Sequence, residues 1–181
     1  MLCSDLFWSI LFYFILLQGD LEGAKRCYLE AIRIKPDFAI GWNNVAGVFK
    51  DEGQTDIAVA YYQEAIRICP LFADSYSNLG CVLRESNRQD EAMIAYETAI
   101  KLRPDFAIAH ANIGACHYDD GNISKAIASF KHAIQLEPNF PDCLVSFFFY
   151  FPVFSALSLY VFHRSKLCYC LLHCIYCIYM I

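Results

Sequence analysis

The chain has 181 residues, 57% of them hydrophobic and 18% charged, with a formal net charge of −5. This much apolar content excludes a disordered tail, and the negative balance excludes a polybasic nucleic-acid binder, which needs a positive field to attract phosphates. The charge is unevenly placed: residues 1–18 carry only Asp5 and residues 144–181 only Arg164 and Lys166, so a polar middle lies between two apolar ends.

The N-terminal apolar run Leu6–Leu17 is shorter than the roughly 20 residues a spanning helix needs. It follows an acidic residue where a secretory signal would carry basic ones, and it leads into Gln18-Gly19-Asp20 with no small-residue cleavage site.

From residue 19 onward the chain is periodic. Prolines recur at Pro36, Pro70, Pro104 and Pro138, always 34 residues apart. In the same register stand Ala24/Ala58/Ala92/Ala126, Tyr28/Tyr62/Tyr96/Phe130 and Ala31/Ala65/Ala99/Ala133. Each unit reads as two helices. A second-type helix is predicted at about 21–35, first helices at 39–52, 73–86 and 107–120, and second helices at 56–69, 90–103 and 124–137. Gly53, Asn87 and Gly121 suit the left-handed turn between the two, and Asp56, Asp90 and Ser124 are candidate caps for the helix that follows. Each proline closes a second helix. The small column Ala46/Gly80/Gly114 lets the helices of a pair approach across Ala58/Ala92/Ala126, and the aromatic column is expected to fill the space toward the next unit.

A 34-residue helix–turn–helix unit of this kind resembles the tetratricopeptide repeat. The resemblance implies an all-α, right-handed solenoid with first helices lining a concave face. Its units would be a partial repeat at 19–38 and complete repeats at 39–72, 73–106 and 107–140. The pattern breaks on both sides, with Phe12 in the small column and Ser146 and Phe148 at the asparagine and small positions of the next unit. A stack cut in this way exposes an apolar face, so the array is expected to be an excerpt from a longer one.

The polar positions of the first helices point to function. Asn44, Asn78 and Asn112 form a periodic column beside the apolar Val45/Leu79/Ile113. A carboxamide offers a donor and an acceptor together, so a row of them can pair with the backbone of an extended polypeptide whatever its side chains. The same asparagines could instead only solvate the groove or bond to a neighbouring helix. The other expected groove positions are Ile40, Asn43 and Gly47, then Asp74, Ser77 and Cys81, then Ile108, Ala111 and Ala115. None is basic, which argues against a clamp for a terminal carboxylate. The middle presents no nucleophile–base pair, phosphate loop or metal spacing, so no catalytic residue, metal or cofactor is expected. His110 and His117 stand in packing columns, and Asn122-Ile123-Ser124 reads as turn chemistry.

The wording at Tyr76-Ser77-Asn78-Leu79-Gly80-Cys81-Val82, Pro104-Asp105-Phe106-Ala107 and His110-Ala111-Asn112-Ile113-Gly114 is similar to the repeat region of the O-linked N-acetylglucosamine transferases. Gly19-Asp20-Leu21-Glu22-Gly23-Ala24-Lys25 and Pro138-Asn139-Phe140-Pro141-Asp142 add to that likeness. Those enzymes transfer N-acetylglucosamine from its UDP-sugar to Ser/Thr of nuclear and cytosolic proteins. An asparagine-lined superhelix guides the protein substrates, and Asn44, Asn78 and Asn112 match its asparagines. The resemblance implies extended protein partners and a cytoplasmic or nuclear location. It places the catalytic domain outside this chain, so the chain alone is not expected to transfer sugar.

The C-terminal run Leu144–Phe162 carries no charge and is flanked by His163, Arg164 and Lys166. Its length permits a membrane-spanning segment at 144–163 and hence a membrane-anchored adaptor. Residues 147–151 (Phe-Phe-Phe-Tyr-Phe) and 168–170 (Cys-Tyr-Cys) also read as translated non-coding sequence, as residues 1–18 do, and both readings stand. Cys168, Cys170, Cys174 and Cys177 surround His173, but the apolar spacers between them are unlike those of zinc sites. Cys27, Cys69, Cys81, Cys116 and Cys143 have no paired spacing and are expected to be reduced and mostly buried.

Overall fold

The computed structural model describes residues 21–137. The N-terminal run, the 144–163 segment, Cys143 and the cysteine-rich tail lie outside the described residues. Seven helices are described: α1 (Leu21–Ile34), α2 (Ala39–Asp51), α3 (Thr55–Ile68), α4 (Ala73–Glu85), α5 (Gln89–Leu102), α6 (Ala107–Asp119) and α7 (Ile123–Leu136). None of them is long and apolar enough to cross a membrane. The chain divides after Pro104 into two units. In the first, α2 packs on α3 and α4 on α5, with α1 against α2 and α3 against α4. In the second, α6 packs on α7.

The turns explain where the helices start and stop. Gly53, Asn87 and Gly121 all take positive φ, at 75°, 60° and 74°. Beside each, two backbone bonds close the preceding helix. Gly53 N–H donates to Lys50 O and Gln54 N–H to Phe49 O, and the same pair recurs at Asn87/Arg88 and Gly121/Asn122. This closure satisfies two carbonyls that the helix end would otherwise leave open. The next helix begins at once, with Ala58, Ala92 and Ala126 donating to Gln54, Arg88 and Asn122. The capping positions are therefore 54, 88 and 122, which corrects the expectation of caps at Asp56, Asp90 and Ser124. Asp56 and Asp90 sit inside the first turn, where a carboxylate favours the positive end of the helix dipole. Asn122 is the one of these three whose side chain caps its helix, its Oδ1 accepting from Lys125 N–H at 3.4 Å.

The columns of small residues and aromatics interlock within each hairpin. A Cβ added at Gly80 would stand 2.6 Å from Tyr96 Cε1, and one at Gly114 would stand 3.1 Å from the Phe130 ring. The aromatic body therefore lies over the small residue of its own unit, and at Tyr28 the hydroxyl also reaches Asn44 of the next unit, as expected of this column. Tyr28, Tyr62, Tyr96 and Phe130 are all buried, as are the alanines one turn before and after them. Close packing of this kind leaves no room for a larger side chain at Gly80.

Candidate functional site: the amide face of the first helices

The column Asn44, Asn78 and Asn112 lies on α2, α4 and α6, and each side chain is half-buried. In the first unit two of the three are joined. Asn44 Nδ2 donates to the Tyr28 hydroxyl on α1 at 2.6 Å. Its Oδ1 accepts from Asn43 Nδ2 at 3.0 Å. Asn43 Oδ1 in turn accepts from Ser75 Oγ at 3.0 Å and from Asn78 Nδ2 at 3.1 Å, both on α4. Asn44 thus has both arms of its amide engaged inside the protein, whereas the bond at Asn78 uses its nitrogen. Asn112 belongs to the second unit, on the α6–α7 hairpin.

Asn43, read from the sequence only as a groove position, has a bridging role that periodicity does not mark. It is 8% exposed and links α2 to α4, yet the equivalent positions hold Ser77 and Ala111. No column therefore marks it. A cue was present in the Asn43-Asn44 pair, where a second carboxamide stands one position before the repeated one. Asn43, Ser77, Ala111 and Ala115 are all buried, which corrects their reading as groove-facing positions. Ile40 and Ile108 are 45% and 43% exposed, which leaves apolar surface at the start of α2 and α6.

Electrostatics around these helices is balanced by local pairs. Asp74 accepts from Arg103 Nη2 at 2.9 Å, and Lys50 lies 3.3 Å from Asp51. At the α1–α2 seam, Lys25 bonds both carboxylate oxygens of Glu52 and lies over the Phe49 ring at 4.5 Å. The outer pairs Glu30–Arg33 and Glu64–Arg67 are exposed, with each carboxyl held below its usual range by its arginine. Burial pushes the Tyr28 hydroxyl well above the ordinary phenol range, against a smaller lowering by the bond from Asn44. Burial does the same at Tyr62, helped by the nearby Cys81, Asp51 and Glu85.

Among the described residues, no group of three or more His, Cys, Asp or Glu side chains could hold a metal ion. His110 packs edge-on against His132 with ring centroids 4.5 Å apart. Of the free cysteines, Cys116 is buried and Cys27, Cys69 and Cys81 are half-buried, so the thiols are less hidden than expected. In the first unit the half-buried Asn44 and Asn78 are uncharged hydrogen-bonding groups.

The sequence matches tetratricopeptide repeat families at residues 16–38 and 39–70, 61–93, 80–121 and 107–140. No curated protein matches it. Solved structures do. The pilF protein of Pseudomonas aeruginosa aligns with a TM-score of 0.72 at 23% identity, covering 82% of this chain and 68% of that one. A MamA crystal structure aligns with a TM-score of 0.64 at 22% identity, covering 76% and 81%. MamA from Desulfovibrio magneticus RS-1, beginning at its residue 41, gives 0.63 at 19% identity, covering 74% and 76%. These likenesses establish the shared helical solenoid fold.

Proposed function

The chain belongs to the tetratricopeptide repeat family, and we propose that the first helices of this protein-interaction scaffold hold an extended polypeptide by its backbone. The observation that carries the reading is the amide column itself: Asn44, Asn78 and Asn112 recur every 34 residues on first helices and stay half-buried. Within the first unit α2 and α4 are neighbours, and helices packed about 8–10 Å apart are spanned by roughly three residues of an extended chain. Carboxamides at that spacing suit partners of varied sequence, and exposed Ile40 and Ile108 add apolar contact in their own units.

The finer reading is a substrate-presenting arm like that of the O-linked N-acetylglucosamine transferases. It rests on the shared wording around Asn78, Asn112 and Pro104. The chain itself then serves as the holder of protein substrates and leaves sugar transfer to a separate catalytic domain.

The test is fluorescence anisotropy with a labelled, uncharged Ser/Thr/Val peptide. Changing Asn44, Asn78 and Asn112 together to Ala is expected to weaken binding by about tenfold or more, as the loss of one to two net hydrogen bonds implies. Circular dichroism should still report a helical fold. Unchanged affinity in the folded triple variant would reduce the column to a packing and solvation feature.

A further inference from the structure

From the contacts around the buried Asn43, we infer that it is a positioning residue that holds Asn44 inside the seam and sets which amide atom Asn78 turns toward a bound chain. The inference deepens the backbone-binding reading and rests on it. Asn43 Nδ2 holds the oxygen of Asn44, and Asn43 Oδ1 holds the nitrogen of Asn78. Ser75 Oγ donates to that same oxygen, and Asn44 Nδ2 is fixed in turn on the Tyr28 hydroxyl. An amide's oxygen and nitrogen arms diverge, so committing one arm orients the other. Turning any one of the three amides alone would set oxygen against oxygen or N–H against N–H in a half-buried seam, where a mismatched polar pair is costly.

The consequence is directional. With its nitrogen committed to Asn43, Asn78 turns its Oδ1 away from the seam as an acceptor, matched to a backbone N–H of the bound segment. Asn44 has both arms committed and contributes less to a ligand. The second unit has Ala109 and Ala111 at the positions equivalent to Ser75 and Asn43. Asn43 thereby makes Asn78 the specificity-determining amide of the first unit.

The full chain carrying Asn43→Leu or Asn43→Asp separates orientation from simple packing. The probe is the same uncharged Ser/Thr/Val peptide, and the second readout is the NMR signal pair of the Asn78 side-chain amide. Leucine removes both contacts. The Asn78 pair should collapse toward the positions of a free amide, and affinity should fall about five- to tenfold. Aspartate keeps an acceptor for Ser75 and Asn78 but has no donor for Asn44. It should preserve the Asn78 signal and hold affinity within about twofold, while the Asn44 signal shifts. If Asn43→Leu does not fold, the contrast between the two amide signals in Asn43→Asp still decides the matter. An unmoved Asn44 signal in Asn43→Asp, or an unmoved Asn78 signal with full affinity in a folded Asn43→Leu, would overturn the inference. Those results leave the binding face standing if the triple asparagine variant still loses the peptide. A triple variant that binds normally defeats the face itself.

Discussion

The first and second units carry the same columns of small and aromatic residues but differ in what lies between them. In the first, Asn43, Ser75 and Asn78 form a polar seam across α2 and α4. In the second, the equivalent third and fifth positions of the first helix are Ala109 and Ala111, and Ala111 joins Ala115, Ala126, Phe130 and Ala133 in an apolar cluster. The contrast separates two jobs. Periodic residues build the hairpin, and aperiodic ones decide which polar groups are fixed and in which orientation.

Substitution of the small column should show the largest contrast in stability. Alanine at Gly80 places a methyl 2.6 Å from a ring carbon of Tyr96, which is fully buried and cannot swing aside. Overpacking of this kind costs about 1–3 kcal/mol, offset by about 1 kcal/mol of gained helix propensity. With the contact at 2.6 Å, at the severe end of that range, Gly80→Ala should lower stability by up to about 2 kcal/mol in urea unfolding. At Gly114 the nearest contact is 3.1 Å, and the same change should come out near neutral because the propensity gain offsets a small shift of Phe130. Equal losses at the two sites would remove the distinction drawn between the hairpins.

A finer contrast lies in two buried serines two residues apart on α4. Ser75 Oγ donates to Asn43, so Ser75→Ala should cost about 1 kcal/mol. Ser77 is equally buried, but its Oγ has no hydrogen-bond partner among the described residues. Removing that hydroxyl also removes its desolvation cost, so Ser77→Ala should be neutral or slightly stabilising. A larger loss at Ser77 than at Ser75 would reverse the assignment of the seam.

The smallest effect at neutral pH is the alkaline response of the aromatic column. Tyr28 and Tyr62 have phenol pKa values raised above the ordinary value of about 10. The unfolded chain then loses these protons first. The stability they contribute is complete below about pH 10 and falls as pH rises from there toward the folded values. Tyr62→Phe should flatten that alkaline decline, measured as the urea midpoint at about pH 9 and about pH 11. The second unit carries Phe130 in this column, which has no proton to lose.

Helices were legible in the sequence because Pro36, Pro70 and Pro104 and the left-handed Gly53, Asn87 and Gly121 punctuate them chemically. The second helices begin one residue before the predicted position, since the closing bonds at Gly53, Asn87 and Gly121 let the next helix start before Asp56, Asp90 and Ser124, which resemble caps. The amide column was legible for the same reason as the helices: it repeats. Asn43 was not. Its role depends on Ser75 and Asn78, more than thirty residues away, and only the packing of α2 beside α4 brings the three together.

The central claim is that partners lie along the first helices. The most direct measurement is an NMR titration of the full chain with the uncharged Ser/Thr/Val peptide, following backbone and side-chain amide signals. Shifts concentrated at Asn44, Asn78 and Asn112 are the predicted result, with the outer residues Glu64, Arg67 and Thr98 of the second helices unmoved. Shifts confined to those outer residues, or none along the first helices at saturating peptide, would contradict it.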